Sequence, residues 1–232
     1  MRKVGVFGGT FNPVHKGHEQ AAVDFYKKFN LSKLIVIPSN IPPHKQADEK
    51  ILPAQRLEMC RICFNSGKYQ GYNIEVSDIE IKKDGVSYTY DTLKFIREIY
   101  PGDEIYFLIG SDMFLYLGHW HRYRELLEMC VFVVAFRYNS EKRGNQKNCE
   151  NCENFENSEN QNCGEAAEIY DSLIKQGYKI KLLENVPFEI SSTELRDRIY
   201  NNGCGRRDWA GLEKYLSPEV LDYIKEKKIY IL

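Results

Sequence analysis

The sequence predicts an α/β fold, a doubly wound, Rossmann-like parallel sheet in a single domain over residues 1–232, with a polar surface insertion near residues 139–164. Two observations predict this fold. Short apolar segments rich in β-branched residues, typical of buried strands, alternate along the chain with longer segments of helical periodicity. The chain has 232 residues and is 43% hydrophobic, which is enough to bury one sizeable core.

The composition excludes several kinds of partner. Lys plus Arg total 32 and Asp plus Glu total 33, so a formal net charge of −1 creates no strong field toward nucleic acid or an anionic membrane. The N-terminus shows no signal-peptide pattern and no apolar run reaches membrane-spanning length, so we expect a cytoplasmic protein. Seven scattered cysteines indicate reduced thiols rather than a disulfide framework. The oligomeric state stays open, and a homo-oligomer is compatible with the sequence.

The first apolar run, from residue 4, ends in a glycine loop that leads into a helix. Gly8 and Gly9 lack side chains, so a ligand can approach the backbone at the carboxyl end of the strand. The helix start offers unpaired N–H groups and the positive end of its dipole, which together bind phosphate. His15 and His18, at positions i and i+3, would share one face of its first turn. This stretch predicts an anion site.

The next elements complete a β-α-β unit. Helical periodicity covers residues 17–29, and residues 34–38 form a β-branched apolar run typical of a buried strand. A proline-stiffened loop follows, which contains Asn40 and Lys45. Because this loop leaves the same edge of the sheet as the glycine loop, Lys45 could meet the same phosphates.

The middle of the chain continues the alternation. A helix is predicted over residues 54–65, one or two short strands lie within residues 73–82, and a polar loop over residues 85–93 passes into another helix. This loop contains Thr89. Residues 104–110 then form the next strand, so the pattern of a parallel sheet is maintained.

Polar and aromatic residues follow that strand. Asp112 stands just after its carboxyl end at Gly110, where the ligand-contacting residues of such sheets collect. Trp120 lies between two histidines that we expect at the surface, and is either a core residue or a stacking surface for a ring. Residues 131–136 form a further strand, which ends in Arg137.

Residues 139–164 break the alternation. Four tandem Asn-x-Glu triplets over residues 148–159 are too polar to bury and too biased in composition for a core, so we predict an insertion in a surface loop. Cys149, Cys152 and Cys163 could bind zinc only if a further ligand closed the site. Because the segment holds one close cysteine pair, we do not expect a metal there.

The last part of the chain returns to regular elements. A helix is predicted over residues 165–176 and a strand over residues 178–183. Ser191 and Glu194 have capping-box spacing and so open another helix. Ser217, followed by a proline, is the predicted cap of the last helix.

With these motifs assembled, the chain resembles the nucleotidyltransferases whose signature is a pair of histidines flanking a glycine, and within them the bacterial nicotinate-nucleotide adenylyltransferases. Six motifs match in order and cover nearly the whole chain outside the insertion. They are Gly8-Gly9-Thr10-Phe11-Asn12-Pro13 through His15-Lys16-Gly17-His18, Pro42-Pro43-His44-Lys45, Ser87-Tyr88-Thr89 with Asp91-Thr92, Gly110-Ser111-Asp112 with Trp120, Ile190-Ser191-Ser192-Thr193 with Arg196, and the closing segment 217–230.

The resemblance implies transfer of AMP from ATP to the phosphate of nicotinate mononucleotide, which gives deamido-NAD and pyrophosphate. The substrate phosphate is then the nucleophile, so catalysis rests on alignment and on charge stabilisation rather than on a covalent enzyme intermediate. Mg²⁺ would arrive bound to ATP, because the sequence shows no dedicated carboxylate cage. The resemblance makes His15 and His18 the catalytic residues.

The resemblance also assigns the binding residues. Those for ATP are Gly8, Gly9, Thr10, Phe11, Lys45, Ile190, Ser191, Ser192, Thr193 and Arg196. Those for the acceptor are Asn40, Thr89, Gly110, Asp112, Trp120 and Arg137. After Arg137 the family usually continues with proline and glycine, whereas this chain continues with Tyr138-Asn139.

The residues leave alternatives open. A related adenylyltransferase would take nicotinamide mononucleotide or phosphopantetheine as acceptor, although the segment 87–92 and Trp120 favour a pyridine nucleotide. A rival of another class is a non-catalytic nucleotide sensor whose Asn/Glu insertion recruits a partner. Retention of both histidines and Arg196 argues against a sensor, since binding alone tolerates their loss.

Overall fold

The structure, a computed structural model, describes residues 1–41, 51–83, 85–137, 161–186, 190–202, 209 and 211–230. Within these residues six parallel strands form one sheet in the order β3-β2-β1-β4-β5-β6. The strands are β1 (Lys3–Gly9), β2 (Lys33–Pro38), β3 (Ile74–Val76), β4 (Glu104–Gly110), β5 (Val131–Arg137) and β6 (Ile180–Val186). This order confirms the predicted doubly wound parallel sheet.

Helices cover both faces of the sheet. They are α1 (Lys16–Lys28), α2 (Pro53–Phe64), α3 (Thr89–Ile99), α4 (Ser111–Leu115), α5 (Tyr123–Met129), α6 (Gln161–Lys175), α7 (Ser192–Asn202) and α8 (Pro218–Glu226). In the described residues, short 3₁₀ turns span Gly67–Tyr69, Leu117–His119 and Leu212–Lys214. None of the helices in the described part of the chain is long and apolar enough to cross a bilayer.

Alternation of side chains along the strands divides the apolar interior into two cores. On β4, Tyr106 and Leu108 pack on one face, whereas Phe107 and Ile109 pack on the other. The first face buries side chains of α1, α2, α7 and α8, and the second those of α3, α4, α5 and α6. Both faces of the parallel sheet are therefore covered, which is why the interior of the central strands β1, β2, β4 and β5 is apolar.

Most element bounds agree with the sequence to within a few residues, but two differ. Only Ile74–Val76 is strand within the predicted range 73–82, because the chain then turns and the N–H of Lys82 bonds the carbonyl of Asp78 instead of a neighbouring strand. Helix α6 begins at Gln161, inside the range 139–164 predicted as loop. Residues 138–160 of that range lie outside the described residues.

The two predicted helix caps have different outcomes. The Ser191 hydroxyl accepts the Glu194 N–H at 3.1 Å and the Glu194 carboxylate accepts the Ser191 N–H at 2.7 Å, which confirms the capping box. Ser217 precedes α8 as predicted, but its hydroxyl makes no capping hydrogen bond. Pro218 supplies the first helical residue, where its missing N–H costs nothing.

The strand order fixes where a ligand can bind. β1 lies between β2 and β4. From β1 the chain adds β2 and β3 on one side, and it then crosses to add β4, β5 and β6 on the other side. The crevice at the carboxyl ends of β1 and β4 is the topological switch point of the sheet, where ligands bind in folds of this kind.

Candidate active site

A cavity of about 1030 Å³ opens at this switch point. Its walls come from the loops after β1, β2 and β4 and from the first turns of α1, α3 and α7. The predicted site residues that line it are Gly8, Gly9, Thr10, Phe11, His15, His18, Asn40, Thr89, Gly110, Asp112, Trp120, Ser191, Ser192, Thr193 and Arg196. Residues that are far apart in sequence are thus brought to one place.

Among the predicted site residues whose side chains the structure describes, Ile190 is the one that does not line the cavity. The side chain of Ile190 is only 6% exposed and belongs to the apolar core, so its part in binding ATP stays a prediction. Its apolar side chain anchors the chain just before α7. Lys45 and the side chain of Arg137 lie outside the described residues.

The glycine loop is shaped by a buried aromatic ring. Phe11 has a positive φ of 48° and turns its ring inward, where it is 1% exposed and packs edge-on against Phe7 at 5.3 Å. A Cβ on Gly9 would lie 3.0 Å from that ring, which is tighter than most Cβ contacts. Gly9 therefore lets the chain fold back over Phe11 and exposes its own backbone to the cavity.

The two histidines lie together at the start of α1. Their ring centroids are 3.8 Å apart, and the His15 main-chain N–H donates to His18 Nδ1 at 3.3 Å. The ring of Phe11 contacts His18 edge-on at 5.0 Å. Because Nδ1 accepts a hydrogen bond, neutral His18 carries its proton on Nε2. His18 Nε2 is therefore set up as a hydrogen-bond donor for an anion at the helix N-terminus.

Helix α7 is fastened to the loop that precedes the histidines. Arg196 Nη1 donates to the Asn12 carbonyl at 2.7 Å, and the Ser192 hydroxyl donates to the Pro13 carbonyl at 3.1 Å. The Tyr230 hydroxyl donates to Asn12 Oδ1 at 2.5 Å from the C-terminal segment. These contacts hold the N-termini of α1 and α7 at one cavity, where both favour negative charge.

Trp120 packs partly into the core, and its stacking on a ligand ring stays a prediction. Its half-buried ring packs edge-on against Phe107 at 6.3 Å, and it also lines the cavity. Its buried Nε1 has no hydrogen-bond partner in the described residues. His119 and His121 are exposed, as predicted, yet they also line the cavity, with the His121 ring 4.8 Å from Tyr88. The Trp120 wall is therefore a mixed aromatic and imidazole surface.

Gly110 permits a close approach on the same side of the cavity. A Cβ at this position would lie 2.5 Å from Asp112 Oδ1, so any larger residue would displace that carboxylate. Asp112 is exposed in the first turn of α4 and lines the cavity. A carboxylate in this position can accept hydrogen bonds from ligand hydroxyl groups.

Sequence reasoning missed two charged residues at the cavity floor. Arg56 is 4% exposed and donates from Nη1 to the Thr10 carbonyl at 2.7 Å and from Nη2 to the Asn40 carbonyl at 2.8 Å. Glu80 is 7% exposed and accepts from the Thr92 hydroxyl at 2.7 Å. Burial lowers the pKa of Arg56 and raises the pKa of Glu80, since it disfavours both charged forms.

The cysteines of the described residues are structural. Cys60 and Cys63 on α2 and Cys130 are buried, and burial raises the pKa of all three thiols, which keeps them protonated and unreactive. Among the described residues no group of His, Cys, Asp or Glu could hold a metal ion. The zinc hypothesis concerns Cys149, Cys152 and the side chain of Cys163, which lie outside the described residues.

Comparison with known proteins gives matches along nearly the whole chain. A family profile described as cytidylyltransferase-like matches residues 6–198. A protein of Fusobacterium nucleatum, named probable nicotinate-nucleotide adenylyltransferase, is 36% identical over 226 residues, which cover 95% of this chain and 100% of that protein. A protein of Geobacter metallireducens with the same name is 35% identical over 229 residues, 98% of each chain.

Solved structures share the fold. A nicotinic acid mononucleotide adenylyltransferase of Plasmodium falciparum, complexed with NaAD, superposes with a TM-score of 0.70 and covers 99% of this chain and 98% of its own. The sequence identity of that pair is 22%, so this likeness supports the fold alone.

Proposed function

The chain belongs to the cytidylyltransferase-like family and, within it, to the nicotinate-nucleotide adenylyltransferases, and on this basis we propose that it transfers AMP from ATP to nicotinate mononucleotide. The products are deamido-NAD and pyrophosphate, in a step of NAD biosynthesis. The observation that carries the proposal is the cavity into which α1, with its two histidines, and α7 both direct their N-termini.

The reaction is an in-line displacement at phosphorus. A phosphate oxygen of the acceptor attacks the α-phosphorus of ATP, and the bond from that phosphorus to the pyrophosphate oxygen breaks as the new bond forms. No bond to the protein is needed, which fits a site that offers hydrogen-bond donors rather than a nucleophile and its base. The protein contributes alignment and stabilisation of charge.

The nucleotide side of the cavity holds the triphosphate in this proposal. His15 and His18 hydrogen-bond the phosphates at the start of α1, over the backbone of Gly8 and Gly9. The start of α7, with Ser192 and Thr193, receives the β and γ phosphates that leave as pyrophosphate, and Arg196 adds positive charge. Residues Thr10, Phe11 and Ser191 complete this side, and Lys45 adds a second cation.

The acceptor lies on the opposite side. The ring of Trp120 stacks on the pyridine ring, Thr89 hydrogen-bonds it, and Asp112 accepts from a ribose hydroxyl beside Gly110. Asn40 and Arg137 contribute to the acceptor site. Because a ring carboxylate can be bound by backbone N–H groups, preference for nicotinate over nicotinamide rests on the family.

Mg²⁺ enters with ATP in this proposal. No metal-binding cluster of carboxylates, histidines or cysteines lies within the described residues, so the phosphates of ATP would supply most of the ligands. The bound ion would neutralise phosphate charge while the residues of the cavity align the two substrates. We place the enzyme in the cytoplasm, where its thiols stay reduced and where ATP is supplied.

The test is a pyrophosphate-release assay with ATP and Mg²⁺ and three acceptors in parallel. We expect turnover with nicotinate mononucleotide and much lower kcat/KM with nicotinamide mononucleotide or phosphopantetheine. Preference for one of the latter two would replace the acceptor but keep the reaction. Binding of ATP without turnover on any acceptor would instead favour the nucleotide sensor.

A further inference from the structure

Arg56 occupies the point where the backbone ladder between β1 and β2 ends. The last hydrogen bond of that ladder runs from the Ser39 N–H to the Gly9 carbonyl at 2.9 Å. One residue further along each loop, the Thr10 and Asn40 carbonyls are joined by the two Nη atoms of Arg56, at 2.7 and 2.8 Å. The guanidinium therefore continues the cross-link between two loops that no longer pair with each other.

The two loops contact different substrates in the proposed reaction. The loop that contains Thr10 belongs to the nucleotide side, and Asn40 belongs to the acceptor side. Asn40 is also held from elsewhere, because its N–H donates to the Ser87 hydroxyl at 3.2 Å and its Nδ2 donates to the Lys83 carbonyl at 2.9 Å. Arg56 is the residue that connects this acceptor wall with the nucleotide loop.

The guanidinium of Arg56 is buried at the edge of the cavity. Arg56 is 4% exposed and lines the cavity floor together with Glu80, whose charge acts on it and partly offsets the effect of burial. Burying a charged group is expensive for stability, and an apolar residue of similar volume would often serve the fold as well. An arginine here is better explained by the geometry that its planar, two-pronged head imposes.

We propose that Arg56 is a positioning residue, whose guanidinium ties the Thr10 and Asn40 carbonyls and so sets the spacing between the nucleotide loop and the acceptor wall. The inference rests on the proposed adenylyl transfer. In-line attack needs the reacting atoms held within a few tenths of an ångström, and a misplacement of about 1 Å costs up to about 100-fold in rate. Loss of these two hydrogen bonds should therefore lower kcat/KM for ATP and for the acceptor together.

The experiment compares Arg56→Lys and Arg56→Ala with the same changes at Arg61. Arg61 is a matched control, because it lies on the same helix and pairs with Asp78 at 3.2 Å but does not line the cavity. We expect Arg56→Lys to lower kcat/KM for ATP and for the acceptor by about tenfold each, and Arg56→Ala by about 100-fold. One ammonium cannot reproduce the spacing set by two nitrogens. The Arg61 variants should keep kcat/KM near the wild-type value.

Chemical rescue separates positioning from general stability. Guanidinium ion at a non-denaturing concentration should restore a measurable part of the kcat of Arg56→Ala, whereas methylammonium at equal ionic strength should not. If Arg56→Ala does not fold, the decisive result is the kcat/KM of Arg56→Lys, measured at a temperature where its circular dichroism matches that of the wild type.

Three outcomes would overturn the inference while leaving the proposed function intact. These are a wild-type kcat/KM in Arg56→Lys, an equal loss in the Arg61 variants, or a loss confined to one of the two substrates. If the wild-type protein itself shows no turnover with any acceptor, both the proposed function and the role of Arg56 are wrong.

Discussion

His18 is held in one orientation by its immediate neighbours. The His15 N–H occupies its Nδ1, and the rings of His15 and Phe11 contact its imidazole. The remaining ring nitrogen is a preorganised donor toward phosphate charge that grows in the transition state. We therefore expect His18→Ala to lower kcat by about 10²–10³-fold while the KM for the acceptor changes far less.

The control for this prediction is Arg61→Ala, which truncates a side chain of α2 that does not line the cavity. It should leave kcat close to the wild-type value. Steady-state kinetics with each substrate varied in turn measures both variants. An unchanged kcat in His18→Ala would remove His18 from the transition-state site.

Glu80 gives a prediction of pH dependence. Burial raises its pKa above the ordinary value, although hydrogen bonds from Thr92 and Ser87 and the charges of Lys83 and Arg56 oppose the shift. The folded protein thus holds the Glu80 proton more tightly than the unfolded chain does. The stability that protonated Glu80 contributes is present below the unfolded pKa of about 4.3 and is lost as the pH rises through the raised folded pKa. Glu80→Gln removes this titration.

The free energy of unfolding of Glu80→Gln, relative to the wild type, should therefore increase as the pH rises from about 4 toward neutrality, since the unfolded pKa of a glutamate is about 4.3. Denaturant titrations of both proteins at several pH values measure this difference. Asp78→Asn is a control in which the pH dependence of stability has the opposite sign. The Asp78 carboxylate accepts a hydrogen bond from Lys82, which lowers the pKa of Asp78, so the wild type loses this stability as the pH falls. A flat difference for Glu80→Gln would contradict the prediction.

At the scale of elements, the start of α7 depends on its capping box. The Ser191 hydroxyl and the Glu194 carboxylate each accept a main-chain N–H of the other residue. We expect Ser191→Ala to cost about 1 kcal/mol of stability. For a chain of this size that loss is a decrease in Tm of about 2–4 °C. Ser191→Asn should restore most of it, because asparagine caps as well as serine.

Ser217 provides the control for this cap. It also precedes a helix, but its buried hydroxyl makes no hydrogen bond in the described structure, so Ser217→Ala should cost less stability or even be neutral. Thermal unfolding compares the three variants. The prediction is contradicted if the Tm of Ser191→Ala equals that of the wild type, or if the Tm of Ser191→Asn is as low as that of Ser191→Ala.

How well the sequence predicts a feature depends on how far apart in sequence the interacting residues lie. The glycine loop, the two histidines and the capping box were predicted because each depends on residues within a few positions of one another. Arg56 could not be recognised, since its partner Thr10 lies 46 residues away and a charge on a predicted helix usually indicates a solvated face. For Ile190 the motif predicts a part in ATP binding but does not tell that its side chain turns into the core.

For the whole molecule, the sheet holds both flanks of the Asn/Glu insertion independently of it. β5 pairs with β4 on one side and with β6 on the other, and α6 buries Ala166 and Leu173 in the second core. These contacts determine where the chain leaves and re-enters the fold. We propose that residues 1–232 form one catalytic domain in which the insertion near 139–164 is an appendage.

Deletion of the four triplets at residues 148–159 should therefore leave kcat and the KM for ATP near their wild-type values. The free energy of unfolding should change by no more than about 1 kcal/mol, since loop-closure entropy varies only with the logarithm of loop length. Kinetics and denaturant titration measure the two effects. A control that keeps the loop length but replaces each Asn and Glu of the triplets by Ser separates composition from length. If turnover is lost while stability is kept, the insertion is part of the site, and if stability is lost, it is part of the core.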